Sequence, residues 1–556
     1  MSSANRQACP TELPAFCQQR HWSIYWILIV CSLAVVCGRI ATVENHSASN
    51  ETPFFCANDR SRWATVRALV DENVFHIDDV IARDQAIHWD TIDKVKHIGR
   101  DGEMHAYSSK PPLLASVVAA GYFAIKTFTG LSITEDTFIV TRTLLLLLNG
   151  TCWFVLLYFL AKTIDCISVR DWSRYYVLAC AGFGTFLSTF AVSLNNHLPA
   201  AAATMVAVYC ITKIVRRSDS RLPQATWRTF LLAGLASTLA FANELPALAL
   251  LAVTGLVCVW KSQQWTMTAF LPAMVMVLAA FFGSNYLFHG DLKMPYAHRS
   301  DGAAVASVEI EPSEPVVEKL DVGGLPALLE DALPQAFRFS SVEITPGDWP
   351  STPAAVRRWN VQDRLSDKSF VIQHNSVAAQ NLFSIHPRSN WYEYPGSYWV
   401  KSNFEKKSLV DRGQDDPLIY TFHVLLGHHG IFSLTPFWIL ALAGMMVFMV
   451  SSRYQLRWFG LIAIGLSVIV VIFYVMQPTC NRNYGGVSSG LRWGFWLYPL
   501  WLVCILPMAD ALAQSKVGRF FCLLLLAVSV ISVSWSHLNP WVHPWLYQIW
   551  PDALPL

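Results

Sequence analysis

Long runs of apolar residues, separated by short polar segments, dominate this chain of 556 residues. A helix needs ~20 apolar residues to cross a bilayer, and eleven runs approach that length. They lie at 23–41, 138–161, 174–193, 197–215, 228–244, 246–260, 266–288, 433–451, 456–476, 490–508 and 519–535. Only 14% of the residues are charged, and the mean hydropathy is +0.35. The pattern predicts an all-α polytopic membrane protein with about 11 transmembrane helices.

A twelfth apolar run, 111–128, could either cross the membrane or lie at its surface, because it begins Pro-Pro and contains Lys126. If it does not cross, the cations between the later spans, such as Lys162 and Lys516, collect on one side. Cytoplasmic loops carry the excess of Lys and Arg. We therefore predict that 111–128 is interfacial or re-entrant, and that the N-terminus is cytoplasmic.

This orientation divides the chain into five predicted regions. They are a cytoplasmic N-terminus at 1–22, an N-terminal transmembrane module at 23–290 that includes the first exoplasmic loop 42–137, a large exoplasmic loop of mixed structure at 291–432, C-terminal transmembrane helices at 433–535, and a short exoplasmic tail at 536–556. Within the large loop, 301–335 is acidic and rich in Pro, Ala and Val, which predicts a flexible linker. The aromatic remainder is predicted to be ordered.

Charge and cysteine content narrow the function classes. The net charge is +2, from 41 basic and 39 acidic residues, so no overall field favours nucleic acid as a partner. Most of the 13 cysteines lie within predicted spans, where a thiol is a small apolar filler. Cys56 and Cys480 lie outside and adjoin polar motifs, so a disulfide could join them in an oxidising compartment.

The first exoplasmic loop begins with the polar segment Asn58, Asp59, Arg60, Ser61, Arg62, Trp63. A carboxylate at the membrane surface could take a proton from an acceptor hydroxyl or amine, which makes Asp59 a candidate general base. An acid at the start of a surface helix is the structural alternative. Arg62 is a candidate substrate-binding residue in the same segment.

Three cations are candidates for binding a phosphate at the membrane surface: Lys110, Arg142 and Arg492. Lys110 precedes a Pro-Pro pair that favours an extended turn. Arg142 lies four residues into an otherwise apolar run, where a charge is costly without a partner. Arg492 follows the glycine-containing segment 485–490, which allows close backbone approach. Snorkelling of Lys110 and Arg142 to the interface is the alternative.

Further polar residues lie at predicted exoplasmic turns and are candidate substrate-binding residues. They are Tyr107, Asn196, His197, Glu244, Arg482 and Tyr484. Histidines at such turns, His197 among them, could bind a metal, although no complete ligand set is recognisable. No cofactor is therefore assigned with certainty, a divalent metal could bind, and its ligands are unknown.

Taken together, these segments resemble the GT-C membrane glycosyltransferases, in particular the branch of protein O-mannosyltransferases and bacterial aminoarabinose transferases. The segment 57–63 looks like the family's acidic motif, 107–112 like its Lys-Pro element, and 485–493 like its later Gly-rich stretch with an arginine. Three positions depart from the pattern, and one of them is Asn195-Asn196-His197, where some members have another acid. Arg60 stands where the family has Glu, and Ser109 stands where the aminoarabinose transferases have a metal-binding Glu.

The resemblance implies an inverting transfer of a sugar from a polyprenyl-phosphate donor to an acceptor on the exoplasmic face, periplasmic or lumenal. It implies that Asp59 is the base and that Lys110, Arg142 and Arg492 hold the donor phosphate. The expected partners are the lipid-linked donor, membrane lipid and an acceptor glycan, lipid or protein. A sugar or lipid transporter or flippase, or a non-catalytic membrane scaffold, is the alternative function.

Overall fold

The computed structural model describes residues 15–47, 50–83, 87–167, 169–215, 225–311, 315–347, 356–366, 368–375, 382–400, 414–450, 457–478 and 481–549. It is mostly helical, with small antiparallel sheets in the loops. Eight of the described helices are long and apolar enough to cross a membrane, as in a multi-pass integral membrane protein.

The helices are numbered here in chain order. They are α1 Ala15–Thr42, α2 Ala57–Arg67, α3 Asp78–Ala82, α4 Pro112–Thr129, α5 Thr137–Leu145, α6 Thr151–Asp165, α7 Asp171–Phe183, α8 Leu187–Phe190, α9 His197–Val215, α10 Trp227–Asn243, α11 Leu248–Lys261, α12 Gln263–Trp265, α13 Leu271–His289, α14 Val316–Asp321, α15 Ala327–Ala332, α16 Pro417–Leu425, α17 Ile431–Leu434, α18 Trp438–Val450, α19 Arg457–Val475, α20 Tyr498–Leu512, α21 Lys516–Trp535 and α22 Trp545–Ile549. Short π-helical turns join α5 to α6 and α12 to α13, so each pair forms one continuous span.

Seven of the predicted spans match long apolar helices, and four do not. The predicted span 174–193 divides into α7 and the four-residue α8, because the chain turns after Phe183. The predicted spans 228–244, 246–260 and 433–451 form helices of 17, 14 and 13 residues. Among the described residues, length and composition therefore support eight membrane-spanning helices, against the eleven spans predicted from the sequence.

Helix α4 is the segment predicted to be interfacial. It is one of the eight long apolar helices, in addition to the seven that match predicted spans. It has 18 residues and exposes Phe123 and Phe128. Its length and composition would also let it cross a membrane. The interfacial assignment thus continues to rest on the distribution of Lys and Arg between the loops.

Helices α9 and α20 form the centre of the helical bundle. In the span windows containing them, 78% and 83% of the residues are buried, against 28% for α1 and for α19. Alanine fills positions 200–203 of α9, and small side chains let neighbouring helices approach closely. Both central helices begin at the same end of the bundle, which brings His197 close to Arg492.

The first loop folds against this end of the bundle. Strands β1 Asn45–Ser47 and β2 Asn50–Thr52 form one hairpin, and β3 Lys94–Ile98 and β4 Met104–Ser108 form a second. In the second hairpin Lys94 pairs with Ser108. This register brings the residue before β3 alongside the residues after β4, where Lys110 lies.

The large loop contains a five-stranded antiparallel sheet in the order β5–β9–β8–β7–β6. Its strands are β5 Ala306–Glu309, β6 Val342–Pro346, β7 Val356–Asp363, β8 Ser369–Asn375 and β9 Leu382–Pro387. Trp359, Ile372 and Ile385 are cross-strand neighbours and are buried together. The prediction of a linker at 301–335 is wrong, because this segment supplies β5, α14 and α15 and buries Leu320 and Leu329.

A buried ion network attaches the sheet to the segment that follows it. On β7, Arg358 Nε lies 2.8 Å from Asp301 Oδ2, and its NH1 lies 2.6 Å from Glu393 Oε1. All three side chains are at most 6% exposed. Breaking a pair of this kind would leave an uncompensated buried charge. The network therefore holds the segment around Glu393, including Trp399 beyond it, in one place.

Candidate functional site

A cavity of about 660 Å³ opens where the first loop, the large loop and the helix ends meet. Its polar and charged lining residues come from segments that are far apart in sequence. They include Asn58, Arg62, Asp93, Lys110, Asn196, His197, Glu244, Arg299, Gln477, Asn481, Asn483 and Arg492. Six of the residues predicted to act on substrate or phosphate are thus brought together: Arg62, Lys110, Asn196, His197, Glu244 and Arg492.

Helix α2 presents Asn58 and Arg62 to the cavity, one turn apart on the same face. The helix begins at a Cys56 cap, whose Sγ accepts a hydrogen bond from Asp59 N. Arg62 donates to the side chain of Asn58 and, over 2.7 Å, to Asn196 Oδ1. Both of these partners are neutral amides, so neither offsets the positive charge of the buried guanidinium.

A chain of hydrogen bonds crosses the cavity wall from Asn196 to Arg492. Asn196 Nδ2 and His197 Nδ1 lie 2.7 Å and 2.5 Å from Glu244 Oε1. Arg492 NH1 lies 3.0 Å from His197 Nε2. Because a guanidinium can only donate, Nε2 is the acceptor and the ring proton lies on Nδ1. A metal ion on His197 Nε2 would have to displace Arg492, so this geometry gives no support to the predicted metal ligand.

The glycine segment holds Arg492 directly. Arg492 Nε donates to Gly485 O over 3.0 Å, and its guanidinium carbon lies 4.7 Å from the Trp541 ring centroid. Gly485 has φ +89°, and a Cβ there would lie 2.9 Å from Arg492 Nε. Any side chain at position 485 would therefore collide with the guanidinium as well as strain the backbone.

Lys110 lies opposite a carboxylate that the sequence patterns did not indicate. Its Nζ is 3.1 Å from Asp93 Oδ1, and the two side chains are 7% and 13% exposed. The Asp93 carbonyl accepts from Ser61 Oγ over 2.6 Å and from Ser109 N over 3.1 Å. Asp93 directly precedes β3, so recognising the hairpin register would have placed it beside Lys110.

The large loop supplies a second set of residues that sequence reasoning missed: Tyr296, Arg299 and Trp399. Arg299 lies with its guanidinium carbon 5.1 Å from the Trp399 ring and donates to Asn481 Oδ1 over 3.2 Å. Lys110 Nζ lies 5.5 Å from the Tyr296 ring. Aromatic rings beside cations are common as cation–π packing, and only the tertiary structure shows that these rings face the cavity.

Positive charge exceeds negative charge on the cavity wall. Arg62, Lys110, Arg299 and Arg492 face two carboxylates, those of Asp93 and Glu244. Within the part of the chain that the structure describes, none of the three arginines forms an ion pair with a carboxylate. Uncompensated guanidinium groups in a partly enclosed site favour a bound anion.

Comparison with solved structures gives a match to the fold, whereas comparison with family models and with curated proteins gives none. The fold is similar to a solved structure described as the S. cerevisiae protein O-mannosyltransferase Pmt1-Pmt2 complex bound to the sugar donor. The match has a TM-score of 0.46 at 11% identity and covers 99% of this chain and 93% of that one. This is a likeness of fold only.

Asp59 is not among the residues that line the cavity. Its Oδ1 accepts from Leu194 N over 2.8 Å and its Oδ2 from Phe55 N over 3.1 Å. It thereby ties α2 to the turn before α9. Burial raises the pKa of this carboxyl from 3.8 to about 7, against the opposing effect of the two backbone hydrogen bonds.

Two further predicted site residues lie outside the cavity lining for identifiable reasons. Arg142 NH2 lies 2.7 Å from Glu44 Oε1, so its charge already has a partner. Tyr107 stacks on the imidazole of His97 at 4.2 Å between centroids and packs with Tyr392 where the first loop meets the large loop. Neither side chain lines the cavity, so neither is placed to contact a ligand there.

The predicted residues Arg482 and Tyr484 are also directed elsewhere. Arg482 donates to four backbone carbonyls, at residues 414, 415, 475 and 477, and so fastens α19 to the segment before α16. Tyr484 stacks on His429 at 4.6 Å. The predicted disulfide partner of Cys56, Cys480, lies outside the described residues.

Replacement of Asp59 by asparagine should reveal its structural role. An amide nitrogen would face the N–H of Phe55 in place of an acceptor, and we expect a cost of about 1–3 kcal/mol. The raised pKa means that the folded protein holds this proton between pH 3.8 and about 7 while the unfolded chain has released it. Wild-type stability relative to Asp59→Asn should therefore fall as pH rises through that window and be level above it.

Thermal unfolding of both proteins in detergent from pH 4 to pH 8 would measure this difference. A constant difference between the two proteins across that range would contradict the assignment of a buried, proton-retaining carboxyl at Asp59.

Proposed function

We propose that the chain is an integral-membrane glycosyltransferase that moves one sugar from a polyprenyl-phosphate carrier to an acceptor, with inversion at the transferred carbon. The observation that supports this most is the set of arginines without carboxylate partners in a cavity walled by helix ends. Their charge suits a phosphate, and the adjoining apolar helices suit the lipid that carries it.

The cations provide for the leaving group. Arg62 and Arg492 can each offer two N–H groups to a phosphate, and Lys110 adds a point charge from the opposite wall. Negative charge grows on the phosphate oxygen as the bond to the sugar breaks. Cations fixed before the reaction stabilise that charge without reorganising. A phosphate that leaves in this way needs no general acid, so a single base and these cations suffice.

We assign the base to Asp93 rather than to Asp59. Asp93 lines the cavity, whereas both oxygens of Asp59 are occupied by backbone N–H groups. In the ligand-free arrangement Lys110 neutralises Asp93. A phosphate bound by Lys110 would compete for the ammonium and leave Asp93 free to accept the proton of an acceptor hydroxyl or amine.

The remaining walls suit the two ends of such a donor. Tyr296, Trp399 and Trp493 offer ring faces of the kind that pack on sugars. Leu114 and Phe473 line the cavity from α4 and α19, two helices with exposed apolar faces. The polyprenyl chain would leave the cavity along these helices, which would hold the reacting carbon in place.

The distribution of Lys and Arg between the loops supports an exoplasmic position for this cavity. That sidedness suits an acceptor that is outside the cytoplasm. A transporter or flippase would be expected to keep its charged residues within the spans, while here they gather at one end of the bundle.

The direct test is binding and turnover of a panel of polyprenyl-phosphate sugars by the full chain in detergent. Wild type should bind one donor selectively and release its sugar to an acceptor fraction. Arg62→Gln should lose that binding, while the matched control Arg142→Gln, whose arginine is paired outside the cavity, should keep it. Equal binding by the two variants, or no binding of any donor, would overturn the proposal and favour transport or a scaffold role.

A further inference from the structure

A second cluster of chemically active side chains lies in the first loop, apart from the cavity. His76 and Asp78 follow the π-helical turn after α2, and His105 lies on β4. Asp78 Oδ2 is 2.6 Å from His105 Nδ1 and 3.2 Å from His76 Nδ1. The donor atoms of the three residues all lie within 4.8 Å of one another, and none of the residues lines the cavity.

Both ring nitrogens of His105 face carboxylates. Its Nε2 lies 2.8 Å from Asp101 Oδ2, opposite the 2.6 Å contact between Nδ1 and Asp78. A neutral imidazole has one N–H, so a proton on Nε2 leaves a lone pair on Nδ1 directed at Asp78. A carboxylate bound to the outer nitrogen of a metal-ligating histidine is the usual second partner of such a ligand.

His76 supplies a third donor directed at the same point. Its ring is parallel to that of His105, with centroids 4.1 Å apart and planes 9° apart. His76 Nδ1 is buried and makes no hydrogen bond among the described residues. If His105 were protonated on both ring nitrogens, it could pair with both aspartates, but His76 Nδ1 would still make no hydrogen bond among the described residues. A cation that accepts all three donors would explain the whole arrangement.

We propose that His76 Nδ1, Asp78 Oδ2 and His105 Nδ1 bind a divalent transition metal of the zinc class, with water completing the coordination. Two imidazoles and one carboxylate form a donor set typical of Zn²⁺. Asp101 orients His105 from the outer side of the ring.

The place of the cluster in the fold indicates a structural metal. Asp78 Oδ1 accepts from Ala106 N over 2.8 Å, and Ile77 N donates to Ala106 O over 2.8 Å. The segment 76–78 is therefore already attached to β4, the strand that leads to Lys110. A metal ion would fix this junction and so hold the first loop in the form that shapes the cavity wall.

The test uses the full chain in detergent, stripped of metal with a chelator and then titrated with Zn²⁺. Calorimetry should show one saturable site per chain, and Zn²⁺ should raise the unfolding midpoint by a few degrees. His76→Gln and His105→Gln should abolish both effects. Asp101→Asn should weaken binding by about 10- to 100-fold. The control His386→Gln alters a histidine of the sheet and should bind as wild type does.

Two outcomes would overturn the metal site. One is the absence of a saturable site in the wild type. The other is a Zn²⁺-dependent rise in the midpoint of His105→Gln equal to that of wild type. If His105→Gln fails to fold, His76→Gln decides the question, because His76 contacts one carboxylate among the described residues whereas His105 contacts two. Zn²⁺ binding by His76→Gln at wild-type affinity would leave the cluster as an ion pair network only.

Discussion

Asp93→Asn should lower the rate of sugar transfer by about 10²- to 10⁴-fold, the usual contribution of a positioned general base. Asparagine occupies the same space and cannot accept the acceptor's proton. Donor binding should be retained or tighter, because Lys110 loses the carboxylate that competes with phosphate. The measurement is the initial rate at saturating donor, together with the donor dissociation constant.

The matched control is Asp90→Asn, three residues earlier in the same segment. Asp90 is 45% exposed and pairs with Lys94, away from the cavity. It should transfer sugar at close to the wild-type rate. Full activity of Asp93→Asn would sink the assignment, and loss of activity in a well-folded Asp59→Asn at constant donor affinity would return the base to Asp59.

Arg492→Ala should weaken donor binding on the order of 10²-fold, since removing a buried partner of a charged group costs about 2–5 kcal/mol. The loss has two sources. The phosphate loses one guanidinium, and His197 Nε2 and Gly485 O lose the group that holds them. Equilibrium binding of the labelled donor, at several salt concentrations, would measure the effect and its electrostatic share.

Arg492→Lys separates these two sources. It keeps the charge, but one ammonium cannot reproduce the planar guanidinium that reaches both partners. We expect intermediate donor affinity. Arg142→Gln should bind the donor as wild type does. Wild-type affinity in Arg492→Ala would show that this arginine stabilises the loop and takes no part in holding the phosphate.

Much of the cavity could be predicted from the sequence because membrane topology constrains it. Each turn between spans, and the first loop, must lie on one side of the membrane or the other. Motifs in loops on the same side therefore lie close together. This is why Lys110, Asn196, Glu244 and Arg492 meet although they are far apart in the chain. The side of the membrane on which a loop lies can be inferred from the uneven distribution of Lys and Arg between the loops.

Side-chain direction and long-range pairing could not be predicted in this way. Asp59 and Arg142 lie on the expected elements. The Asp59 carboxylate, however, is directed at backbone N–H groups, and the Arg142 guanidinium is directed at Glu44. Asp93 depends on the register of a hairpin. Arg299 enters from a loop whose position is set by the sheet, and the sequence of that loop carries no periodic signal for its partner.

The acidic residues of 301–335 and its high content of Pro, Ala and Val predicted a linker, since such a composition is typical of flexible linkers. Its apolar residues are nevertheless spaced so that Leu320 and Leu329 enter the core of the sheet. Two short helices, α14 and α15, with one buried leucine each give little compositional signal, and only the completed sheet reveals the surface that they cover.

The Arg358 network has an evolutionary consequence. Arg358 joins the sheet to Glu393, and the segment that follows Glu393 contains Trp399, which lines the cavity. The sheet therefore contributes to the site and is more than an insertion between spans. Relatives that shorten or exchange this insertion would need another source for that wall. Divergence in the sheet should therefore be accompanied by changes in ligand preference, even where the helices and their motifs stay constant.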